Sequence, residues 1–178
     1  MIKAIYFDLF FTLIIPAYEK TNNEFSAIQK EQLLYAREER MKKALKMVSK
    51  EILDVLERLK SMNIKLGLIS NADCIDCKYW EQSPLFQYFD DAIFSCDVAL
   101  LKPDRQIYEL AMQRLNVLPD QCLFVGDGGS SELYGAKSAG MGTVFSEMLE
   151  VKNIEERKTI SQYADYHVRH IDELFYYL

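Results

Sequence analysis

Apolar residues along the chain fall into two alternating patterns. Short unbroken runs occur at Ala4-Ile5-Tyr6-Phe7, Leu66-Gly67-Leu68-Ile69, Ala92-Ile93-Phe94, Cys122-Leu123-Phe124-Val125 and Thr143-Val144-Phe145. Such runs are expected of strands covered on both faces. Between them the period lengthens to that of a helix. Ile52, Val55, Leu56, Leu59 and Met62 form one stripe, with Ser49 placed to cap its start and Asn63 just past its end. Ile107, Leu110, Ala111 and Leu115 form another, preceded by Pro103 and Asp104 and closed by Asn116. Strand and helix in alternation imply right-handed crossovers and an α/β fold on a mainly parallel, five-stranded sheet. Ile171 to Leu178 predicts a short terminal helix.

Residues 16–47 break this rhythm. The stretch is rich in Glu, Lys, Gln and Arg, and the sparse apolar positions Leu34, Met41, Leu45 and Val48 fit a long, largely solvated helix. It reads as an insertion above the sheet, dividing the chain into a core of residues 1–15 and 48–178 and a short helical cap at 16–47.

With 178 residues, 49% of them apolar and 27% charged, one ordinary core can be buried. No apolar run is long enough to span a bilayer, and the first strand is interrupted by Asp8 where a signal peptide would continue apolar. A soluble, cytoplasmic protein without a membrane partner is the expectation. A formal net charge of -6 argues against nucleic acid as a partner. It leaves room for a small anionic substrate, because exposed charges are screened beyond roughly 8 Å, provided that Lys102 and a bound cation supply local positive charge.

Cys74 and Cys77 have the spacing of half a zinc or redox site, but no second convincing pair follows. Reduced thiols in a loop or short helix are expected there. Cys96 and Cys122 sit at apolar, strand-like positions and read as buried small hydrophobes. His167 and His170 lie in a strand-like pattern near the end, without an acidic partner at metal spacing, and read as structural or exposed.

Four clusters carry the chemistry: Asp8-Leu9-Phe10-Phe11-Thr12, Ser70-Asn71, Lys102-Pro103, and Gly126-Asp127-Gly128-Gly129-Ser130-Ser131-Glu132. Each alone has a plain structural reading, as a strand-end carboxylate, a turn, a helix start or a glycine-rich loop. In this order they describe a metal-assisted carboxylate nucleophile, with Asp8 and Asp127 emerging at the carboxyl ends of buried strands, where open α/β sheets bind ligands.

The ordered clusters resemble the haloacid dehalogenase-like hydrolase superfamily, in the subfamily whose cap follows the first strand. The stretch from Lys102 to Met141 carries the resemblance most specifically, through Lys-Pro, an amphipathic helix, Val-Gly-Asp-Gly, an acidic residue, Gly-Ala and Ala-Gly-Met. The resemblance implies a three-layer Rossmann-like domain with an apparently shortened cap, and a phosphatase acting on a small phosphorylated molecule. Asp8 would be the nucleophile forming an aspartyl phosphate. Mg2+ would be held by Asp8, the main-chain carbonyl of Phe10, Asp127 and Glu132, the last directly or through water. Thr12, Ser70, Asn71 and Lys102 would hold the phosphoryl oxygens, with Lys102 also balancing the nucleophile.

Two positions depart from that pattern. Phosphatases of this superfamily usually carry a second Asp two residues after the nucleophile, where Phe10 can neither donate nor accept a proton. The next residue is commonly Gly, whereas Phe11 is bulky and should resist a positive φ. An aromatic residue at the Phe10 position also resembles the true 2-haloacid dehalogenases, which have Tyr there, although those need no metal and lack the acidic cluster. The alternatives to a phosphatase are therefore a weakly active or non-catalytic protein that binds a phosphometabolite or a protein partner, and a dehalogenase. Substrate identity and oligomeric state are not legible.

Overall fold

The computed structural model describes residues 1–16 and 27–178. Among these residues six strands form one parallel sheet: β1 (Ala4–Phe7), β2 (Lys65–Ser70), β3 (Asp91–Phe94), β4 (Cys122–Gly126), β5 (Gly142–Ser146) and β6 (Tyr166–Val168), in the spatial order β3-β2-β1-β4-β5-β6. The expected five are present. The sixth, β6, is the short pattern around His167, paired with β5 through Phe145 opposite His167.

Among the described residues seven α-helices join them: α1 (Ala27–Lys46), α2 (Lys50–Ser61), α3 (Cys74–Cys77), α4 (Ser95–Val98), α5 (Arg105–Leu115), α6 (Glu132–Ser138) and α7 (Ile154–Ile160). The punctuation read from the sequence is made as hydrogen bonds. Ser49 accepts from the Ile52 amide at 3.3 Å, and Asp104 accepts from the Gln106 amide at 3.0 Å. Asn63 and Asn116 take left-handed backbone conformations past the ends of α2 and α5. Each such cap contributes about 1 kcal/mol. Burying a single Leu or Ile side chain contributes about 1.5–3 kcal/mol, so the apolar stripe of α2, with Ile52, Val55, Leu56 and Leu59 buried, dominates that helix's attachment.

The period of two along the strands sends alternate residues into two cores, which makes three layers. Ile5, Phe7, Leu66, Leu68, Leu123 and Val125 face a core shared with α2. Ala4, Tyr6, Ile69 and Phe124 face a core shared with α5 and α6. The closing segment Ile171–Tyr177 is a 3-10 helix that buries Ile171 and Leu174.

Of the expected insertion, residue 16 and residues 27–47 can be compared with their reading, because residues 17–26 lie outside those described. In α1, Leu34 is exposed, while Met41 and Leu45 are buried in the same core as Phe7 and Leu56. Arg37 on the same helix donates to Asp76 at 2.8 and 2.5 Å and to Asp73 at 2.9 Å, tying α1 to α3. Helix α1 is thus docked by two apolar anchors and one charged clamp.

Cys122 is buried in β4 as expected, but Cys96 is not in a strand. β3 ends at Phe94, and Cys96 lies in α4, partly exposed. Ser95 ends the run: its hydroxyl bonds both the amide and the carbonyl of Ala72, turning the chain into a helical turn one residue before Cys96. Cys74 and Cys77 bound α3 with free thiols.

Candidate active site

The strand order reverses direction between β1 and β4, and a parallel sheet opens a crevice at the carboxyl ends of such a pair. Asp8 follows β1 and Asp127 follows β4. The adjacent registers Phe7–Val125 and Phe7–Leu68 place the ends of β1, β4 and β2 side by side. Asp8, Asp127 and Glu132 are buried, and one carboxylate oxygen from each lies within 4.8 Å of the others. Two ammonium groups meet them. Lys102 Nζ is 2.5 Å from Asp8 Oδ1 and 2.5 Å from Glu132 Oε2, and Lys152 Nζ is 2.5 Å from Asp127 Oδ2 and also paired with Glu150.

Local structure explains how each group is held. Gly126 lets Glu132 approach, since a Cβ there would lie 2.1 Å from Glu132 Oε1. Glu132 Oε1 accepts from the Gly128 amide at 3.0 Å, and Asp127 Oδ1 accepts from the Gly129 amide at 3.1 Å. Asn71 fixes Lys102 by its backbone, accepting from Lys102 N at 2.8 Å and donating to Lys102 O at 3.0 Å. The Gly-Ala of α6 also has a packing reason: a Cβ at Gly135 would lie 2.6 Å from the Pro103 carbonyl.

The loop after Asp8 adopts the conformation that Phe11 was expected to resist, with φ of 58°. Its surroundings impose the left-handed turn. The Phe11 amide donates to Ile14 O at 2.7 Å, and the amides of Leu13 and Ile14 both donate to Leu9 O at 3.0 Å. The ring packs against the core, with Lys152 Nζ 5.8 Å from its centroid. Ser130 and Ser131 are left-handed as well, so backbone strain of about 1–3 kcal/mol per residue is concentrated around the carboxylates.

Of the residues singled out from sequence, Asp8, Phe10, Asn71, Lys102, Asp127 and Glu132 line one half-open cavity of about 330 Å³. Thr12 and Ser70 are buried, each with a hydroxyl oxygen that has no partner among the described residues. Lys152 lines the same cavity and was missed. It follows β5 in a stretch, Met148-Leu149-Glu150-Val151-Lys152, with no period and no motif. Only its ion pairs reveal it.

Burial holds the Asp8 carboxyl above the usual range, although Lys102 pulls the other way. Glu132 is raised further by burial and by repulsion from Asp8. Burial alone would lower Lys102, but Asp8 and Glu132 raise it instead. Three buried carboxylates thus face two ammonium groups, a surplus of negative charge that a divalent cation with oxygen ligands suits. The donor set fits magnesium.

A buried carboxylate, a lysine against it and an acidic pair thus meet at the switch point of a parallel, Rossmann-like sheet. The model of the haloacid dehalogenase-like hydrolases matches residues 2–140, and the chain belongs to that family. It is similar to the glyceraldehyde 3-phosphate phosphatase of Methanocaldococcus jannaschii, 30% identical over 122 residues that cover 67% of this chain and 51% of that one. It is also similar to the rhythmically expressed gene 2 protein of Drosophila melanogaster, 38% identical over 96 residues covering 52% and 37% of the two chains. The chain spans about half the length of the curated relatives it matches. Among solved structures, the magnesium-bound HAD-hydrolase YfnB of Bacillus subtilis superposes with a TM-score of 0.75 at 18% identity, over 99% of this chain and 98% of that one, a likeness of fold.

Proposed function

We propose that the protein is a magnesium-dependent phosphate monoester hydrolase that works through an aspartyl phosphate on Asp8. The observation that carries this reading is the pairing of one buried carboxylate, Asp8, with Lys102 on one side and with Asp127 and Glu132 on the other. Asp8, Asp127, Glu132 and the Phe10 carbonyl would hold Mg2+, which when bound supplies positive charge that lets two anions approach. An oxygen of Asp8 attacks phosphorus, and the bond to the leaving oxygen breaks as the acyl phosphate forms. Lys102 stays against Asp8 and balances the charge on the transferred group. The unpartnered hydroxyls of Thr12 and Ser70 are donors in reserve for phosphoryl oxygens. Asn71 spends its side-chain amide on the Lys102 backbone, so its part is to position that lysine.

Water then attacks the acyl phosphate, releasing inorganic phosphate and restoring the Asp8 carboxylate. Phe10 lines the cavity where relatives carry the proton-transferring Asp, so both half-reactions rely on water for proton transfer. That loss is typically worth about 10² to 10⁴ in rate. Activated aryl and acyl phosphates, which leave with little help, are the favoured substrates. The phosphatase names of the relatives support a small phosphorylated metabolite. The short insertion 16–47 is read as a reduced cap over a core of 1–15 and 48–178, leaving the cavity accessible to broad substrates. None of the helices among the described residues is long and apolar enough to cross a membrane, and the four thiols are free, in keeping with a reducing, cytoplasmic setting.

The same Phe10 supports a second reading, a phosphometabolite-binding protein with residual turnover. A screen of phosphorylated metabolites and aryl phosphates with and without Mg2+ separates the two. Metal-dependent release of phosphate that disappears in Asp8→Asn supports the enzyme. Saturable ligand binding without turnover in the Mg2+-loaded protein overturns it.

A further inference from the structure

Three thiols and a carboxylate meet outside the phosphate site. Cys74 and Cys77 bound α3 shortly after β2, and Cys96 and Asp97 lie in α4 directly after β3. β2 and β3 are neighbouring parallel strands with Ser70 opposite Phe94, so their extensions run side by side. The Ser95 hydroxyl fastens the two, accepting from Ala72 N at 3.0 Å and donating to Ala72 O at 3.1 Å. One ligand atom from each of Cys74, Cys96 and Asp97 therefore lies within 4.8 Å of the others. Cys77 Sγ is 3.7 Å from Cys96 Sγ, which is in turn 3.6 Å from Asp97 Oδ1.

Those spacings suit a tetrahedral ion. With zinc–sulfur bonds of about 2.3 Å, neighbouring ligand atoms stand roughly 3.8 Å apart along the edges of the tetrahedron. Two edges are already near that length. We propose that Cys74, Cys77, Cys96 and Asp97 form a second cation site, for a thiophilic divalent ion of tetrahedral preference, zinc in the first instance. Cys77 Sγ already stands beside Cys96 Sγ and completes the set by giving up its contacts to the carbonyls of Asp73 and Cys74 at 3.6 and 3.7 Å. Each thiol that ligates releases its proton to water, so one divalent ion replaces three protons and the Asp97 carboxylate binds as it stands. Sulfur ligands select against Mg2+, which keeps to oxygen. Cys74, Cys77 and Asp97 line an open cavity with Lys78 and Trp80, which leaves the ion a path from solvent. The ion would tie α3 to α4. Since Arg37 grips Asp73 and Asp76 at the same turn, it would also set the seat on which α1 docks.

The test is a titration of Co2+ into the reduced full chain with Mg2+ in excess. The expected result is one equivalent bound with a thiolate-to-metal charge-transfer band and strong tetrahedral d–d bands, displaced by Zn2+. Cys96→Ser should weaken binding by at least about tenfold, since even losing an outer hydrogen-bond partner of a metal ligand costs about that much. Cys74→Ser, at an exposed position that tolerates substitution, should weaken it likewise and separates ligand loss from misfolding. Asp127→Asn should leave the band intact, because oxygen ligands at the phosphate site give no thiolate transition. A titration without the charge-transfer band, a band of unchanged strength and affinity in Cys74→Ser, or a Cys77–Cys96 disulfide persisting in a glutathione-buffered solution overturns the proposal.

Discussion

A cluster of buried carboxylates and a single one, Glu147, lie at the carboxyl end of the same sheet, and their pKa values move in opposite directions although burial raises both. At Asp8 and Glu132, burial and repulsion from neighbouring carboxylates win, and both carboxyls are held above the usual range. Glu147, one residue beyond β5, is as deeply buried by its side chain, yet its pKa is lowered. The difference lies in the partners. Glu147 Oε1 accepts from Arg157 at 2.9 Å and from the Lys152 amide at 2.9 Å, and His167 Nε2 lies 2.8 Å from Oε2. Glu147 Oε1 is matched by donors and Oε2 faces the His167 ring, so the residue joins β5, β6 and α7. The Asp8 group carries one more buried carboxylate than it has ammonium groups, a surplus that suits a cation. A matched buried charge is structural, and a surplus one is available for chemistry.

The largest expected effect comes from removing the surplus charge. Asp8→Asn leaves two buried carboxylates, Glu132 and Asp127, each with one ammonium group against it, Lys102 and Lys152. Turnover of an aryl phosphate should fall by at least about 10³-fold. The metal-free variant should nonetheless melt no lower than the parent, with a gain of about 2–4 °C for each kcal/mol of repulsion relieved. Retained activity ends the nucleophile assignment, and a large drop in melting temperature ends the surplus-charge argument.

The next effect concerns the proton that this site lacks. Phe10→Asp combined with Phe11→Gly should accelerate alkyl phosphates more than aryl phosphates, by about 10-fold and with a ceiling near 10⁴. The glycine relieves the positive φ at residue 11, so the new carboxylate can be presented as in relatives. Circular dichroism should first confirm folding, because truncating a buried aromatic side chain costs about 3–5 kcal/mol. No change of leaving-group preference in a folded, metal-loaded variant shows that the missing acid is not limiting.

A smaller change should follow from Lys152→Met. Its ammonium group neutralises Asp127, a role that a bound cation would share, so removing it should lower the Mg2+ concentration for half-maximal activity by about three- to tenfold, or about 1 kcal/mol of close attraction. Raised Mg2+ demand would mean that Lys152 supports the metal instead of competing with it.

The matched group gives the last contrast. A depressed carboxyl pKa stabilises the fold above the ordinary Glu value of 4.5, and the contribution is lost as pH falls through the lower, folded-state value. Glu147→Gln should cost about 1–3 kcal/mol near neutrality and make stability less dependent on pH in the acid range. Urea midpoints measured at neutral and acid pH read both. For Asp8 and Glu132 the sign is reversed: their raised pKa penalises the metal-free fold as pH rises past the ordinary carboxyl range, and Mg2+ should remove that penalty.

Much of the fold was legible because its causes are local. Unbroken apolar runs marked the five central strands, and Ser49, Asp104, Asn63 and Asn116 marked helix ends, since a capping side chain reaches backbone only two or three residues away. The sixth strand was less visible. Tyr166–Val168 is three residues long, with only Val168 buried, and its order comes from pairing with β5.

The sequence by itself determined which chemical groups this protein carries and the order in which strand ends present them: Asp8 after the first strand, Ser70 and Asn71 at the second, Lys102 beyond the third, Asp127 and Glu132 after the fourth. Tertiary structure decided what those groups touch. It turned Phe11 into a left-handed residue, gave the Asn71 amide to the Lys102 backbone, brought Lys152 onto Asp127, and set Cys96 beside Cys77 across 19 positions of chain. The physical reason is range. Propensity and capping act within a turn or two, whereas these contacts exist because parallel strands deliver distant segments to one edge, where burial decides which charges must find partners and which remain in surplus.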